Sequence, residues 1–157
     1  MAASSSTDLT SEVAAALREY VEQAAELDEV IAARAGIGLT DLYCFTLLER
    51  HGGRMTAGAL AELSRLTTGA ITGVINRLER SGLARRTADP HDGRRVIVEI
   101  HDAAAERNRE MLAPRAAVHE AVLGRYDAEH LRVLLNLLRD AAARTADEVT
   151  ALRARTE

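Results

Sequence analysis

The sequence contains no tryptophan and no lysine, and aromatic residues make up only 3% of its 157 residues. Alanine and leucine dominate instead, and because both are strong helix formers this balance favours helices over sheets. Hydrophobic residues account for 47% of the chain and charged residues for 28%, so the chain can bury a core and is not a disordered tail. The composition predicts one folded, mainly α-helical unit.

Cysteine is nearly absent as well, since Cys44 is the only one. A single cysteine cannot form an intramolecular disulfide, and the sequence shows neither a signal-peptide pattern nor an apolar run of membrane-spanning length. We therefore expect a cytoplasmic location and no membrane partner. Cys44 lies in a largely apolar segment, which favours a buried, unreactive thiol over a redox sensor.

Motifs that mark catalytic sites are also missing. There is no glycine-rich phosphate loop, no nucleophile elbow and no His-Glu-x-x-His pattern. The five histidines are scattered without the spacing of metal ligands. The sequence thus predicts neither an enzyme nor a bound metal or cofactor.

Positive charge is concentrated in one segment, although the whole chain carries a net charge of −4. Residues 54–95 contain eight arginines and four acids, a net charge of +4, whereas the rest of the chain contains twelve arginines and twenty acids, a net charge of −8. Binding to a phosphate backbone requires a cationic surface, so the distribution of charge matters more than its total. This distribution indicates a cationic functional module flanked by acidic segments.

Two long amphipathic helices are predicted near the ends of the chain. Apolar residues recur at intervals of three and four from Val13 to Ile31, and again from Leu131 to Leu152 in a helix that begins near Asp127. A further helix, from Asp102 to Leu123, contains Pro114, where a kink is expected, and Asp102 is placed to cap its start.

The apolar stripes of these helices exceed what a chain of this length could easily bury by itself. We expect them to pack across a two-fold axis in a homodimer. Burial within a single chain is the alternative. The residues expected at the dimer contact are Val13, Leu17, Leu131, Leu134 and Leu138.

Shorter elements are predicted between the long helices. Thr40 and Thr56 are placed to cap two short helices. A turn at residues 65–67 then leads into a third helix, residues 68–81, which Gly82 ends. Residues 83–87 and 95–101 look extended, and Asp-Pro and Asp-Gly pairs between them supply turn chemistry. The pattern is that of a helix-turn-helix followed by a β-hairpin.

The third short helix has the properties of a DNA-reading helix. One of its faces is apolar, formed by Ala70, Ile71, Val74, Ile75 and Leu78. The opposite face carries small and polar side chains, which allow close approach to base edges in a major groove, although an ordinary amphipathic surface helix would show the same pattern. The residues predicted to contact DNA from this helix are Thr67, Thr68, Gly69, Thr72, Gly73, Asn76 and Arg77, with Arg80 directed toward the phosphates.

Four arginines flank the predicted turn of the hairpin. Because the hairpin is too short to build a core of its own, Arg85, Arg86, Arg94 and Arg95 are expected to project into solvent or onto a partner. The narrow minor groove of DNA attracts arginine, so we predict a DNA-binding wing. The alternative is a solvated turn in which the arginines pair with Asp89 and Asp92.

Residues 82–95 resemble the wing signature of the MarR family of bacterial regulators, which commonly reads as Gly-Leu, an arginine, then Asp-Pro-x-Asp-x-Arg. Arg86, Asp89 and Arg94 fall in register with that signature. Residues 68–78, together with the run Arg77-Leu78-Glu79, resemble the family's helix-turn-helix. The long terminal helices are also similar, so the resemblance covers nearly the whole chain.

The resemblance implies a mainly α fold, a winged helix-turn-helix with long N- and C-terminal helices that form an intertwined dimerisation domain. It divides the chain into an N-terminal dimerisation helix (residues 1–34), a DNA-binding domain (39–101) and C-terminal dimerisation helices (102–157). In such a dimer the recognition helices enter successive major grooves of double-stranded DNA, and Arg94 reaches into the minor groove with Asp89 holding the wing arginine.

The function that this resemblance implies is sequence-specific transcriptional regulation, usually as a ligand-responsive repressor on a pseudo-palindromic operator. A helical homodimeric interaction protein without DNA binding is the alternative. The resemblance also implies a small-molecule inducer, whose identity the sequence does not give. Tyr20, Tyr43 and His51 are candidates to line its pocket, although aromatic residues at helical spacing are more often core residues.

Overall fold

A computed structural model describes residues 2–88 and 95–155 of the chain. The described residues form six α-helices, a three-stranded sheet and one short 3-10 helix, which confirms the mainly α, winged helix-turn-helix fold. In chain order the elements are α1 (Ala2–Ala35), α2 (Leu39–Arg50), β1 (Arg54–Thr56), α3 (Ala57–Ser64), α4 (Thr68–Arg80), β2 (Ala84–Ala88), β3 (Val96–Ile100), the 3-10 helix (Asp102–Ala104), α5 (Ala105–Leu123) and α6 (Ala128–Ala154). The chain divides into two compact units, Met1–Ala113 and Pro114–Glu157.

The core of the first unit lies between the short helices and the sheet. Its completely buried residues come from α2, α3, α4 and the two longer strands, and they include Phe45, Leu48, Leu60, Leu78 and Val98. On α4 the buried positions are Ile71, Val74, Ile75 and Leu78, which recur at the spacing of one helical face. Ala70, predicted on the same face, is instead exposed, because it lies one residue to the side of that stripe in the first turn.

A smaller apolar cluster fixes the C-terminal end of α1. Ile31 and Ala32 pack against Leu42 of α2, and Met111 and Leu112 of α5 contact both this cluster and the main core. Gly36 ends α1 in the left-handed region at φ 70°, where a residue without a Cβ is favoured. The N-terminal part of α1, by contrast, has exposed apolar residues.

The sheet has the strand order β1-β3-β2, and all pairs are antiparallel. Sequence periodicity predicts β2 and β3 but not β1, because a strand of three residues is too short to show alternation. Ile97 and Val98 are both buried, which fits the central position of β3 between its two neighbours.

The start of the fifth helix differs from the sequence expectation. Asp102 was expected to cap it, but the chain makes a 3-10 turn over Asp102–Ala104 first, and no side chain caps that turn. The Asp102 carboxylate instead lies 3.5 Å from the Arg85 guanidinium. Asp102 therefore pairs with an arginine on β2 and does not cap the helix.

The second unit contains the end of α5 and all of α6. Pro114 lies inside α5 at the division between the units. Helix α6 begins at Ala128, next to the predicted start, and Asp127 caps it, since its Oδ1 accepts hydrogen bonds from the Glu129 and His130 amides at 3.0 Å. These bonds hold the pKa of Asp127 below its ordinary value. No described residue of α6 is buried.

In the part of the chain that the structure describes, no single helix is both long and apolar enough to cross a membrane, and one pair, residues 8–35 with α2, meets the requirement only together and with a bend of 96°.

Candidate nucleic-acid interface

The helix-turn-helix is formed by α3, a three-residue turn and α4. Thr56 caps α3 by accepting a hydrogen bond from the Ala59 amide at 3.0 Å, and Thr67 caps α4 by accepting one from the Ala70 amide at 3.2 Å. Between them Arg65 adopts φ 58° and ψ 30°, the only described non-glycine residue with positive φ. This left-handed residue ends α3 and turns the chain into α4 within three residues.

The outer face of α4 is small and polar, as predicted. Thr68, Gly69, Thr72 and Asn76 are exposed, and open space surrounds the position that a Cβ would occupy at Gly69. The Thr72 hydroxyl donates to the Thr68 carbonyl oxygen at 2.8 Å and keeps its lone pairs available as acceptors. This face offers hydroxyl and amide groups without bulky apolar side chains.

Arg77 has a partner inside the chain that the sequence did not indicate. Its Nε and Nη2 donate to the two carboxylate oxygens of Asp41 on α2, over distances of 2.7–3.0 Å. Asp41 is almost completely buried, with 1% of its surface exposed, whereas 45% of the Arg77 side chain is exposed. The hydrogen bonds to the Asp41 carboxylate raise the pKa of Arg77. The predicted DNA contact of Arg77 stays a prediction, and the structure adds that its Nε and Nη2 are occupied by a buried carboxylate.

Asp41 also determines where α2 begins. Thr40 was expected to cap this helix, but the N-cap is Gly38, and the Asp41 Oδ2 accepts the Gly38 amide at 3.1 Å. An acid three residues after the N-cap is a recognisable capping signal. Its second role, as the partner of Arg77, which lies 36 positions away, cannot be predicted from a single sequence.

Gly73 on α4 makes room for the same ion pair. A Cβ at this position would lie 3.3 Å from the Arg77 Nη1 atom, closer than most such contacts. The predicted reason for a glycine here was close approach to DNA. The structure adds a second reason, which is space for the guanidinium.

The wing consists of β2 and β3, and we use this name for residues 84–100. The pairs Ala84↔Ile100 to Ala88↔Val96 define its register. Asp89 and Arg94, which the sequence assigned to its tip, lie outside the described residues, as does Asp92. Arg95 is exposed and directly precedes β3.

Arg85 and Arg86 form ion pairs within the chain, although 45% of the Arg85 side chain is still exposed. The Arg86 guanidinium and its backbone amide both bond to Glu79 on α4. Arg85 bonds to Glu99 on the neighbouring strand at 2.7 Å, and Arg54 of β1 lies 3.6 Å from the same carboxylate. Glu79 and Glu99 were not predicted as partners, and the alternative pairing with Asp89 and Asp92 stays a prediction because both aspartates lie outside the described residues.

The Glu79 contact fixes the wing relative to α4. A carboxylate on the helix accepts from both the backbone and the side chain of one β2 residue, so helix and strand are joined by a polar clamp. At the end of the same helix, Arg107 of α5 donates to the carbonyl oxygen of Ser81, the C-cap residue. A cation at a helix C-terminus is favourable because it meets the negative end of the helix dipole.

Cys44 is completely buried, as predicted. Burial raises the pKa of its thiol, which outweighs the opposite effect of a hydrogen bond with Ser64. A protonated, buried thiol does not react readily. The redox-sensor alternative is therefore disfavoured by both position and ionisation.

The three predicted pocket residues all lie near the surface. Tyr20 on α1 is 51% exposed and Tyr43 on α2 is 49% exposed, and His51, just after α2, is exposed too. Neither tyrosine belongs to the core of the described chain, and their role in a ligand pocket stays a prediction. Among the described residues, no three His, Cys, Asp or Glu side chains come together as they would in a metal site.

Comparison with known proteins agrees with this architecture. The sequence model described as MarR family matches residues 35–95. The uncharacterized HTH-type transcriptional regulator YcgE of Bacillus subtilis is 31% identical over 124 residues, which cover 78% of this chain and 80% of that protein.

Solved structures show the same fold. A MarR family protein from Bacillus stearothermophilus superposes with a TM-score of 0.66 at 21% identity, covering 87% of this chain and 95% of that one. A MepR variant from S. aureus, bound to an oligodeoxyribonucleotide, gives 0.58 at 14% identity, covering 85% and 97%. The family match, the sequence relative and the fold agree with the geometry above, and the chain belongs to the MarR family of helix-turn-helix transcriptional regulators, which are not enzymes.

Proposed function

We propose that this chain binds double-stranded DNA in a sequence-specific manner, with α4 in the major groove and the wing against the minor groove. The observation that carries the proposal is the exposed face of α4, where Thr68, Thr72 and Asn76 stand beside a wing fastened to the same helix through Glu79 and Arg86. Such side chains suit hydrogen bonding to base edges. The oligodeoxyribonucleotide bound to the MepR variant supports the proposal by fold.

Arginines around this face supply the charge that phosphate binding requires. Arg65 lies on the turn before α4 and Arg80 lies at its end, and both are exposed. Arg94 and Arg95 follow in the wing segment. In this proposal Arg94 enters the minor groove, residues 39–101 form the DNA-binding domain, and residues 1–34 and 102–157 form the dimerisation helices.

Exposed apolar stripes on the terminal helices support a homodimer. On α1 Val13 is 44% exposed and Leu17 is 37% exposed, and on α6 Leu138 is 45% exposed, while Leu131 and Leu134 are half-buried. Single exposed apolar residues are ordinary, but rows of them along two helices need a partner surface. A second copy of the chain fits, because a two-fold dimer presents two copies of α4 to DNA half-sites that lie roughly 34 Å apart, one DNA turn.

The proposal is tested by a fluorescence anisotropy titration of the protein against duplex DNA from the region flanking its own gene, at two salt concentrations. We expect Thr72→Ala and Asn76→Ala to change base preference, each costing about 1–3 kcal/mol at the affected position. Arg94→Ala should weaken binding to all sequences and reduce the salt dependence.

Thr150→Ala is the matched control for Thr72→Ala. Thr150 is an exposed helical threonine on α6 whose hydroxyl donates to the Ala146 carbonyl oxygen at 2.9 Å, as Thr72 does to Thr68. It should bind DNA as the wild type does. Wild-type protein that fails to bind any duplex at low salt, or helix variants with unchanged base preference, would contradict the proposed function.

We further propose that the protein acts in the bacterial cytoplasm as a repressor that occludes the polymerase site and is released by a small-molecule inducer. Family membership supports this part. In this proposal the inducer contacts the exposed rings of Tyr20 and Tyr43. Small phenols and aromatic carboxylates should raise the unfolding midpoint and weaken DNA binding in the wild type, and Tyr43→Ala should reduce both effects. Equal effects in the variant would contradict this assignment.

A further inference from the structure

Asp41 accepts hydrogen bonds from the N-cap of its own helix, α2, and from a side chain of α4. Its Oδ2 accepts the Gly38 amide at 3.1 Å and the Arg77 Nε at 2.8 Å, while its Oδ1 accepts the Arg77 Nη2 at 2.7 Å. The carboxylate is almost completely buried. Every contact is a charge-assisted bond, and the pairing with Arg77 is bidentate, which fixes the direction of the guanidinium as well as its distance.

An ion pair with a buried carboxylate is a poor way to gain stability alone. Asp41 is removed from water while 45% of the Arg77 side chain stays exposed, and the cost of burying a charge often exceeds the attraction to its partner. What a bidentate pair provides is a fixed geometry between the elements that carry it. The position of these elements is therefore the important fact.

One end of this bridge lies at the joint between α1 and α2. Gly38 directly follows the turn in which Gly36 has φ 70° and the Ile37 amide donates to the Ala32 carbonyl oxygen at 3.0 Å. The other end lies in the last two turns of α4, directly after Asn76 on the exposed face. Gly73, one turn earlier, leaves the space that the guanidinium occupies.

We propose that Asp41 is the positioning residue of the recognition helix and that it transmits the orientation of the α1–α2 joint to α4. Arg77 acts as the anchor on the helix side and not as a phosphate contact. The inference rests on the proposed DNA-binding function, because it explains how that function's reading face is held. A movement at the joint that displaces the Gly38 amide changes the position of Asp41, and with it the angle of α4.

The test compares the wild type with Asp41→Asn, Arg77→Gln and the double variant, which leaves no unpaired buried charge and therefore covers the case in which a single variant fails to fold. Glu106→Gln is the control, because it removes the carboxylate of an exposed ion pair with Arg109 on α5. Affinity is measured by anisotropy for the duplex that the wild type binds and for a random-sequence duplex. Hydrogen exchange is followed for peptides covering α3 and α4.

We expect the three bridge variants to lose about tenfold in affinity for the specific duplex, a typical coupling between two sites. Their affinity for the random duplex and their salt slope should stay as in the wild type, and amide exchange should accelerate in α4 but not in α3. The control should match the wild type in all readouts. A merely structural role would lower both affinities together and accelerate exchange in both helices.

Two results would overturn the inference. One is an unchanged ratio of specific to random affinity in folded bridge variants. The other is a salt slope lowered by about one in Arg77→Gln, which would make Arg77 a direct phosphate contact. If the wild type binds no duplex, the proposed function fails instead, and the exchange of α4 relative to α3 still decides whether Asp41 orders this helix.

Discussion

Arg65 has an unfavourable backbone conformation but a side chain that suits DNA binding. Its φ of 58° is costly for any residue with a Cβ, yet the position between α3 and α4 requires this conformation. At the same time its side chain is exposed at the start of the proposed DNA-binding face. Stability therefore favours glycine here, whereas phosphate binding favours arginine.

Arg65→Gly and Arg65→Ala separate these two effects. Both variants remove the cation, so both should weaken DNA binding and reduce its salt dependence equally. Only glycine tolerates the left-handed conformation, so we expect the free energy of unfolding of Arg65→Gly to exceed that of Arg65→Ala by about 1 kcal/mol. Chemical denaturation and anisotropy measure the two quantities, and equal stabilities would contradict the assignment of strain.

Cys44 provides a residue-scale prediction from its ionisation. Because burial raises the pKa of its thiol, the thiolate fraction in the folded protein is smaller than in the unfolded chain at the same pH. We expect a thiol reagent at about pH 8 to modify Cys44 more than about 100-fold more slowly in the native protein than in denaturant. Comparable rates in the two states would show that the thiol is accessible.

The residue types in the sequence were enough to predict the exposed face of α4. They were not enough to predict the partners of Arg77 on α4 and Arg86 on β2. The polarity of Thr72 and Asn76 is a local property, and a helical wheel reveals it. The bonds of Arg77 to Asp41 and of Arg86 to Glu79 depend on which elements pack together. Burial of Asp41 is likewise a tertiary property, since an acid near a helix start is ordinarily exposed.

At the scale of elements, one of the three predicted helix caps is confirmed. Thr56 caps α3 as expected, and Thr67 and Asp127, whose capping roles were not predicted, cap α4 and α6, because a side-chain oxygen at the N-cap satisfies an otherwise unpaired amide. The beginnings of α2 and α5 were predicted less well, since Gly38 and a 3-10 turn replace the expected caps. Strand β1 has too few residues for any periodic signal.

The cap of α4 is open to direct test. Thr67→Ala removes the acceptor of the Ala70 amide and should lower the free energy of unfolding by about 1 kcal/mol, whereas Thr67→Ser keeps the hydroxyl and should cost much less. Because the cap lies at the end of α4 that enters the groove in our proposal, DNA affinity should fall in the alanine variant as well. Denaturation curves for the two variants that coincide would contradict this role of the hydroxyl.

At the scale of the whole molecule, composition and charge distribution carried much of the prediction. A net charge of −4 conceals a segment of net charge +4, residues 54–95, and that segment contains α3, α4 and β2. The apolar stripes of α1 and α6 were also visible in the sequence, but their exposure in a single chain needed the structure. The geometry with which two copies pair depends on contacts between chains, and the pattern of residues in one sequence does not specify it.

The proposed dimer predicts that the effect of an added negative charge on α6 depends on which face of the helix carries it. Leu138→Asp places a charge in the apolar stripe and should convert a dimer of twice 17.0 kDa into a monomer with greatly weakened DNA binding. Asn136→Asp adds the same charge at an exposed position two residues away, on another side of the helix, and should remain dimeric. Light scattering after size-exclusion chromatography measures both masses, and a dimeric Leu138→Asp protein would contradict this contact.

The central claim, that the protein reads DNA as a symmetric dimer through α4 and the wing, is tested most directly by selecting bound duplexes from a randomised pool. The account predicts enrichment of an inverted repeat whose half-site centres lie about one helical turn apart, roughly 10–10.5 base pairs. It also predicts that Asn76→Ala changes the enriched bases while the spacing stays the same. A pool that remains random after repeated selection, or an enriched site without two-fold symmetry, would contradict it.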